Sequence, residues 1–279
     1  MQQLIVLQTL WTFDHLEPHP CAPTLEARLD LLKATGFDGA GTLWLDREDA
    51  RITAGLAHER GLLLEGLALP DSVDALQPAL DWGVEFGLHH LNVQPDIRTA
   101  NLSEAVAALE GWRRLAEQVP FPVYIETHRG RLTNDLLFTL ELLRACPWLE
   151  LTADLSHYVV GSEIVLPVSA QFESAIQRVL AQAGAFHGRV GTSEQVQVDL
   201  SFPQHAPWVA QFSRWWQEGF RLWRSRAADD ATLSFLCELG PRPYAVTGPD
   251  NLDLSDRWAD SLHLQQLART LWAASGTPS

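Results

Sequence analysis

Short apolar runs alternate with longer amphipathic ones eight times along this chain, and few architectures accommodate that alternation. The runs at 4–8, 39–43, 62–68, 90–93, 123–126, 149–154, 185–190 and 234–238 read as β-strands by length and by apolar or β-branched content. The stretches between them carry helix punctuation. In 24–36, Thr24 caps the start and Gly36 closes the end, and the run 133–146 stops before Pro147. No Pro/Gly-rich linker or low-complexity block interrupts the series. The pattern predicts a single (β/α)8 TIM barrel, an α/β fold occupying residues 1–279 as one domain. An open nucleotide-binding sheet loses its main support, because no Gly-x-Gly-x-x-Gly loop follows any strand.

Charge narrows the partners. The 20 Lys+Arg face 35 Asp+Glu, a net charge of −15, so neither a nucleic-acid backbone nor an anionic membrane surface is expected to bind. A small molecule is the default partner. Lys33 is the sole lysine and falls in a helix-like run, which disfavours Schiff-base chemistry, since that needs a lysine in a desolvated pocket. Cys21, Cys146 and Cys237 are too few and too irregularly spaced for a disulfide framework or a Cys-x-x-Cys zinc site. No apolar run reaches the roughly 20 residues of a membrane span, and no cationic flank precedes the first apolar stretch. A cytoplasmic enzyme is the resulting expectation.

Barrels of this kind keep their chemistry at the C-terminal ends of the strands. The last four predicted strands end in, or just short of, ionisable groups: Glu126, Asp154, His187 and Glu238. The first two spacings match one βα repeat, so the four should converge on one rim. Three carboxylates in one pocket repel each other, and burying them unpaired costs on the order of several kcal/mol per charge. One divalent cation removes the conflict. Three oxygen donors and one imidazole suit Mn²⁺ or Mg²⁺, with Co²⁺ or Zn²⁺ also compatible. Any one of these residues alone reads more simply as a strand-end group paired with a loop amide or an arginine, but four on consecutive strands point to a shared ion.

The stretches Ile125-Glu-Thr-His-Arg-Gly-Arg-Leu-Thr133 and Leu151-Thr-Ala-Asp-Leu-Ser-His157, then His187, then Cys237-Glu-Leu-Gly-Pro241, resemble the xylose isomerase-like TIM-barrel superfamily. That group holds sugar and sugar-phosphate isomerases and epimerases, inosose dehydratases and endonuclease IV. The resemblance implies a single-metal site of Glu126, Asp154, His187 and Glu238, with manganese the leading ion. His157 would sit beside it and bind a substrate oxygen. It also implies that Glu126 and Glu238 are the catalytic acid/base pair, moving a proton beside the carbonyl of a sugar or similar polyhydroxylated compound. Arg189, just past His187, is expected to bind substrate or orient a carboxylate, with a structural salt bridge the equal alternative, and His128 to support its loop. The ketose epimerases of the group carry a substrate-binding acidic residue where this chain has Leu132, which leaves the substrate open. A dehydratase-type lyase on the same site and a non-catalytic sugar-binding barrel are the competing readings. The three-zinc cluster of endonuclease IV cannot be assembled, since no extra histidines end the third and fourth strands and 193–200 lacks an Asp-x-His.

Residues 191–207 read as an extended loop able to act as a lid. The helix expected at 208–226 bears Trp208, Phe212, Trp215, Trp216, Phe220 and Trp223 at helical spacing. Packing against the barrel accounts for that stripe, and any surplus would suit contact between two copies in a homo-oligomer. Trp11, Phe13 and Trp44 follow the first two strands and are candidates to stack on a sugar's C–H face or to close the pocket.

Overall fold

A parallel ladder from Gln3 opposite Thr232 to Gln8 opposite Cys237 joins the first strand to the last and closes the sheet into a barrel. The computed structural model describes residues 1–16 and 22–276. Its strands, in sequential order around the barrel, are β1 (Gln3–Thr9), β2 (Gly39–Leu43), β3 (Leu63–Ala68), β4 (His90–Val93), β5 (Val123–Glu126), β6 (Leu151–Ala153), β7 (Ala183–Gly188) and β8 (Thr232–Cys237). The bounds of β2, β4 and β5 are those the sequence predicts. β6 is shorter than expected, because its register against β7 shifts between Leu151 and Thr152.

Each strand is followed by at least one helix: α1 (Leu25–Ala34), α2 (Arg47–Glu59), α3 (Gln77–Phe86), α4 (Leu102–Ala116), α5 (Leu136–Ala145), α6 (Ser156–Gly161), α7 (Ala170–Leu180), α8 (Ala206–Arg226) and α9 (Arg257–Ser275). Their starts have local causes. Thr24 Oγ1 accepts from the Ala27 amide, and Asn101, Asp135 and Ser169 cap α4, α5 and α7 in the same way.

The aromatic stripe of α8 is core. Trp208, Phe212, Trp215, Trp216, Phe220 and Trp223 are all buried within the chain, Phe220 edge-on to Phe186 of β7 and Trp216 edge-on to Phe235 of β8. The loop expected as a lid is packed down instead: Val196, Gln197, Val198 and Asp199 are buried, and Gln197 exchanges two hydrogen bonds with the Gly240 backbone. Cys146 and Cys237 are buried free thiols, while Cys21 lies outside the described residues. Among the described residues no helix is long and apolar enough to cross a membrane.

Inside the barrel, Ile5, Leu7 and Leu236 form a small apolar plug apart from the main core, which lies between sheet and helices. Gly41 makes room for it: a Cβ there would stand 2.7 Å from a Leu236 methyl. Beyond it the interior holds the buried polar residues Glu65, His90, Asn92, Glu126 and His187.

Candidate metal centre

Alternation along a strand sends every second side chain of β5 to β8 toward the barrel axis. Glu126 ends β5, Asp154 follows β6, His187 lies in β7 and Glu238 follows β8. The four expected donors do meet. One ligand atom from each lies within 4.8 Å of the others, and all four residues are buried. His187 Nδ1 is 2.8 Å from Glu238 Oε2 and 3.8 Å from Glu126 Oε1. Glu126 Oε2 accepts from the side-chain amides of Asn92 and Gln94, but Oε1 has no hydrogen-bond partner. Asp154 Oδ1 accepts from the amide and hydroxyl of Ser156, while Oδ2 has none. Buried carboxylate oxygens without partners are costly, and these two point into the same cluster.

Arg189 enters that cluster as well. Its guanidinium is 1% exposed, with Nη2 2.6 Å from Glu238 Oε2 and Nε 3.4 Å from Asp154 Oδ2, and it faces the Tyr244 ring at 5.0 Å. The arrangement suits orientation of a carboxylate, one of its two expected roles. Arg189 reaches Glu238 and Asp154 but leaves Glu126 Oε1 without a partner. A divalent cation fits what remains, drawing on Glu126 Oε1, Asp154 Oδ2, Glu238 and the Nδ1 of His187.

Sequence reasoning missed Glu65. This β3 residue is buried, with Oε1 2.7 Å from His187 Nε2 and Oε2 2.9 Å from His90 Nε2. A proton on His187 Nε2, donated to Glu65, leaves the Nδ1 lone pair facing the acidic cluster, which is how carboxylates commonly orient metal-binding histidines. The available signal was an acidic residue in the middle of an otherwise apolar strand run.

Burial pushes the Glu126 carboxyl up to about 8, with the charges of Glu238 and Asp154 adding to the effect. Burial likewise raises Asp154 to about 6. Burial also acts on Glu238, but Arg189 and His187 outweigh it and hold this carboxyl well below the usual range. Against burial, His187 and His90 lower Glu65 to about 2. Burial disfavours the His187 imidazolium, yet Glu65, Glu238 and Glu126 overcome it and raise this group well above 6.5. Without metal, the centre therefore keeps protons on Glu126 and His187.

His157 is wholly buried and its ring nitrogens make no hydrogen bond, but Nε2 stands 3.5 Å from Asp154 Oδ2, and its ring lies 3.9 Å from that of His128. Burial depresses both histidines, His128 to about 4. Together with Glu126 they make a second group of close donors, so the glutamate is common to both. Above the centre opens a cavity of about 650 Å³, whose wall includes Glu65, His187, Arg189, Glu238 and His128 but not His157. Trp11 lines it, edge-on to Tyr244 at 5.1 Å, whereas Phe13 and Trp44 are buried in the main core.

A barrel of this topology and length superposes on solved structures over nearly its whole extent. One is a xylose isomerase-like TIM-barrel protein from Mycobacterium smegmatis in complex with magnesium: TM-score 0.58, 11% identity, 96% of this chain and 97% of that one. The shared fold is the TIM barrel. The same fold is found in 3-keto-D-glucoside 4-epimerase from E. coli, at TM-score 0.56 and 12% identity over 97% and 100% of the two chains. A probable 3-DHS dehydratase from Bacillus anthracis matches at TM-score 0.56 and 14% identity, over 95% and 99%. A family 2 AP endonuclease from Brucella melitensis also has it, at TM-score 0.54 and 15% identity over 87% and 94%. No protein-family model and no curated protein matches the sequence. At such identities the likeness is one of fold, and a barrel fold of this kind hosts several chemistries.

Proposed function

We propose that the chain is a divalent-metal-dependent isomerase or epimerase acting on a small compound with a hydroxyl beside a carbonyl. The observation that carries this reading is the convergence of Glu126, Asp154, His187 and Glu238 beneath one cavity, with Glu126 Oε1 and Asp154 Oδ2 left without hydrogen-bond partners. Manganese is the leading ion, with magnesium, cobalt or zinc compatible with the same donors. Bound there, a divalent cation supplies Lewis-acid polarisation that acidifies the C–H next to the carbonyl.

Glu238 faces the cavity and is kept ionised by Arg189 and His187, so it takes that proton. The C–H electron pair moves into the carbonyl, giving an enediolate. Glu126, fixed through Oε2 by Asn92 and Gln94, is the second carboxylate of the pair; ionised when metal is bound, it takes a proton from water and delivers it to carbon, while Glu238 releases its own to water. Return to the other face of the same carbon gives the epimer; return to the neighbouring carbon, with the hydroxyl proton passing to the former carbonyl oxygen, interconverts aldose and ketose. Trp11 and Tyr244 cover one side of the cavity and limit water around the intermediate.

A lyase is the second reading, supported by the same base: after proton removal, loss of a β-hydroxyl would yield water and an enone. DNA is a poor substrate here, since the chain carries a net charge of −15. The test is incubation of manganese-loaded protein with hydroxy ketones and ketoses in D₂O. One deuterium gained without loss of water supports isomerisation or epimerisation, and loss of water supports the lyase. Absence of any exchange by a metal-loaded protein leaves a non-catalytic binding barrel.

A further inference from the structure

The cavity wall is chemically divided. Around β5 to β8 it offers His128, His187, Arg189 and Glu238, but around β2, α2 and β3 it offers Leu43, Ile52, Leu67 and Leu69 beside Thr42, Asp49, Thr53 and Glu65. Leu43 is 55% exposed and Ile52 40%, and both line the cavity, so a molecule filling it would cover them. A free sugar presents hydroxyls on every edge, and each needs a hydrogen-bond partner when it leaves water. Leucine and isoleucine provide none. The cavity, at about 650 Å³, also falls in the range of pockets that enclose drug-sized molecules, about 300–1,000 Å³.

A phosphate finds little welcome on the described wall. Arg189 is tied to Glu238 and Asp154, Arg28 to Asp14 at 3.0 Å, and Arg131 to Asp96 at 2.5 Å. Each lining arginine already has a carboxylate partner, and of the three only Arg189 is paired with carboxylates of the centre.

We infer that the substrate has two parts: an α-hydroxycarbonyl head that reaches His187 and Glu238, and an aryl or alkyl substituent that lies on Leu43, Ile52, Leu67 and Leu69. The assignment rests on the carbonyl chemistry proposed above and adds the class of molecule that chemistry acts on. The apolar strip is continuous with the centre, because the same cavity is bounded by both. Docking the substituent there removes apolar surface from water on both sides and leaves the head free to use every polar group of the opposite wall.

Two probes with the same head separate the idea from its parent. Binding of hydroxyacetone and of 2-hydroxyacetophenone to manganese-loaded protein is measured by calorimetry, with metal content determined on the same sample. The aryl compound should bind at least about tenfold more tightly. In the double variant Leu43→Asn with Ile52→Asn, both at exposed positions, that preference should fall to within about threefold while metal content and hydroxyacetone binding stay unchanged. Equal affinities, no binding of either probe to metal-loaded protein, or a preference that survives the double variant would overturn the two-part substrate while leaving the metal centre standing. A sample that takes up no metal overturns the reading of the centre itself, and the substrate assignment with it.

Discussion

Between β8 and β2 the barrel interior is filled by Ile5, Leu7 and Leu236 packed over Gly41, whereas from β3 to β7 it holds Glu65, His90, Asn92, Glu126, His187 and Arg189. Both regions are buried to a similar degree within one sheet, yet they are stabilised differently. The apolar plug gains from leaving water and needs no specific partner. Every group in the polar sector must find one, and Glu65 illustrates how tightly the partners are shared, with one oxygen for His187 and the other for His90. A polar interior of this kind is expensive unless it performs chemistry or holds an ion. The comparison predicts that substitutions in one sector change stability, and in the other change metal binding and turnover.

Leu236 and Glu238 lie close together at the end of β8 and test the division at closest range. Glu238→Gln is expected to lower turnover by about 10²–10⁴-fold in a solvent deuterium-exchange assay. Leu236→Ala is expected to cost about 2–5 kcal/mol in denaturant unfolding and to leave metal stoichiometry intact. A Glu238→Gln variant with normal turnover, or a Leu236→Ala variant that loses metal while folded, would erase the boundary between the sectors.

Glu65→Ala should weaken metal affinity by about 10–100-fold in a calorimetric titration, because His187 loses the carboxylate that fixes its ring. Glu65→Gln, which keeps an acceptor for Nε2–H, should lose less. Equal losses in the two variants would mean that Glu65 supports the fold and not the histidine.

The pH dependence is subtler. In metal-free protein Glu126 holds its proton up to about 8 and His187 holds one above 6.5, while the unfolded chain has released both. Stability carried by these groups is therefore present at low pH and lost as pH rises through the folded values. The buried neutral His128 and His157 act in the opposite sense below 6.5, so the clean window runs from pH 6.5 to 8. Across it the melting temperature of metal-free protein should fall, and the increase produced by manganese should grow. Manganese binding at pH 7 should also release about two protons, one from Glu126 and one from His187, detectable in weakly buffered solution. A manganese effect that shrinks with rising pH would contradict this assignment of protons.

Most of the fold was legible because strand and helix periods are local properties of sequence. The four donors were legible for a related reason: an ionisable residue that closes an apolar run sits where a barrel strand meets its loop. Glu65 was not, because it lies mid-strand rather than at the rim, and its one signal, an acid inside an apolar run, names no partner until the barrel brings it against His187. Arg189 could be read as close to the centre but not as paired with Glu238 and Asp154, since that contact depends on the side-chain geometry of three strands. Tyr244 escaped notice entirely. It lies beyond β8 in a segment without periodicity, and only the folded loop sets its ring against Trp11 and Arg189.

Metal analysis of protein loaded with manganese and then freed of excess ion tests the centre most directly, with Glu126→Ala and Asp154→Ala measured alongside. One divalent ion per chain in the parent and close to none in either folded variant is the expected result. A parent that retains no metal, or variants that retain a full equivalent, would contradict the claim that these carboxylates share one cation.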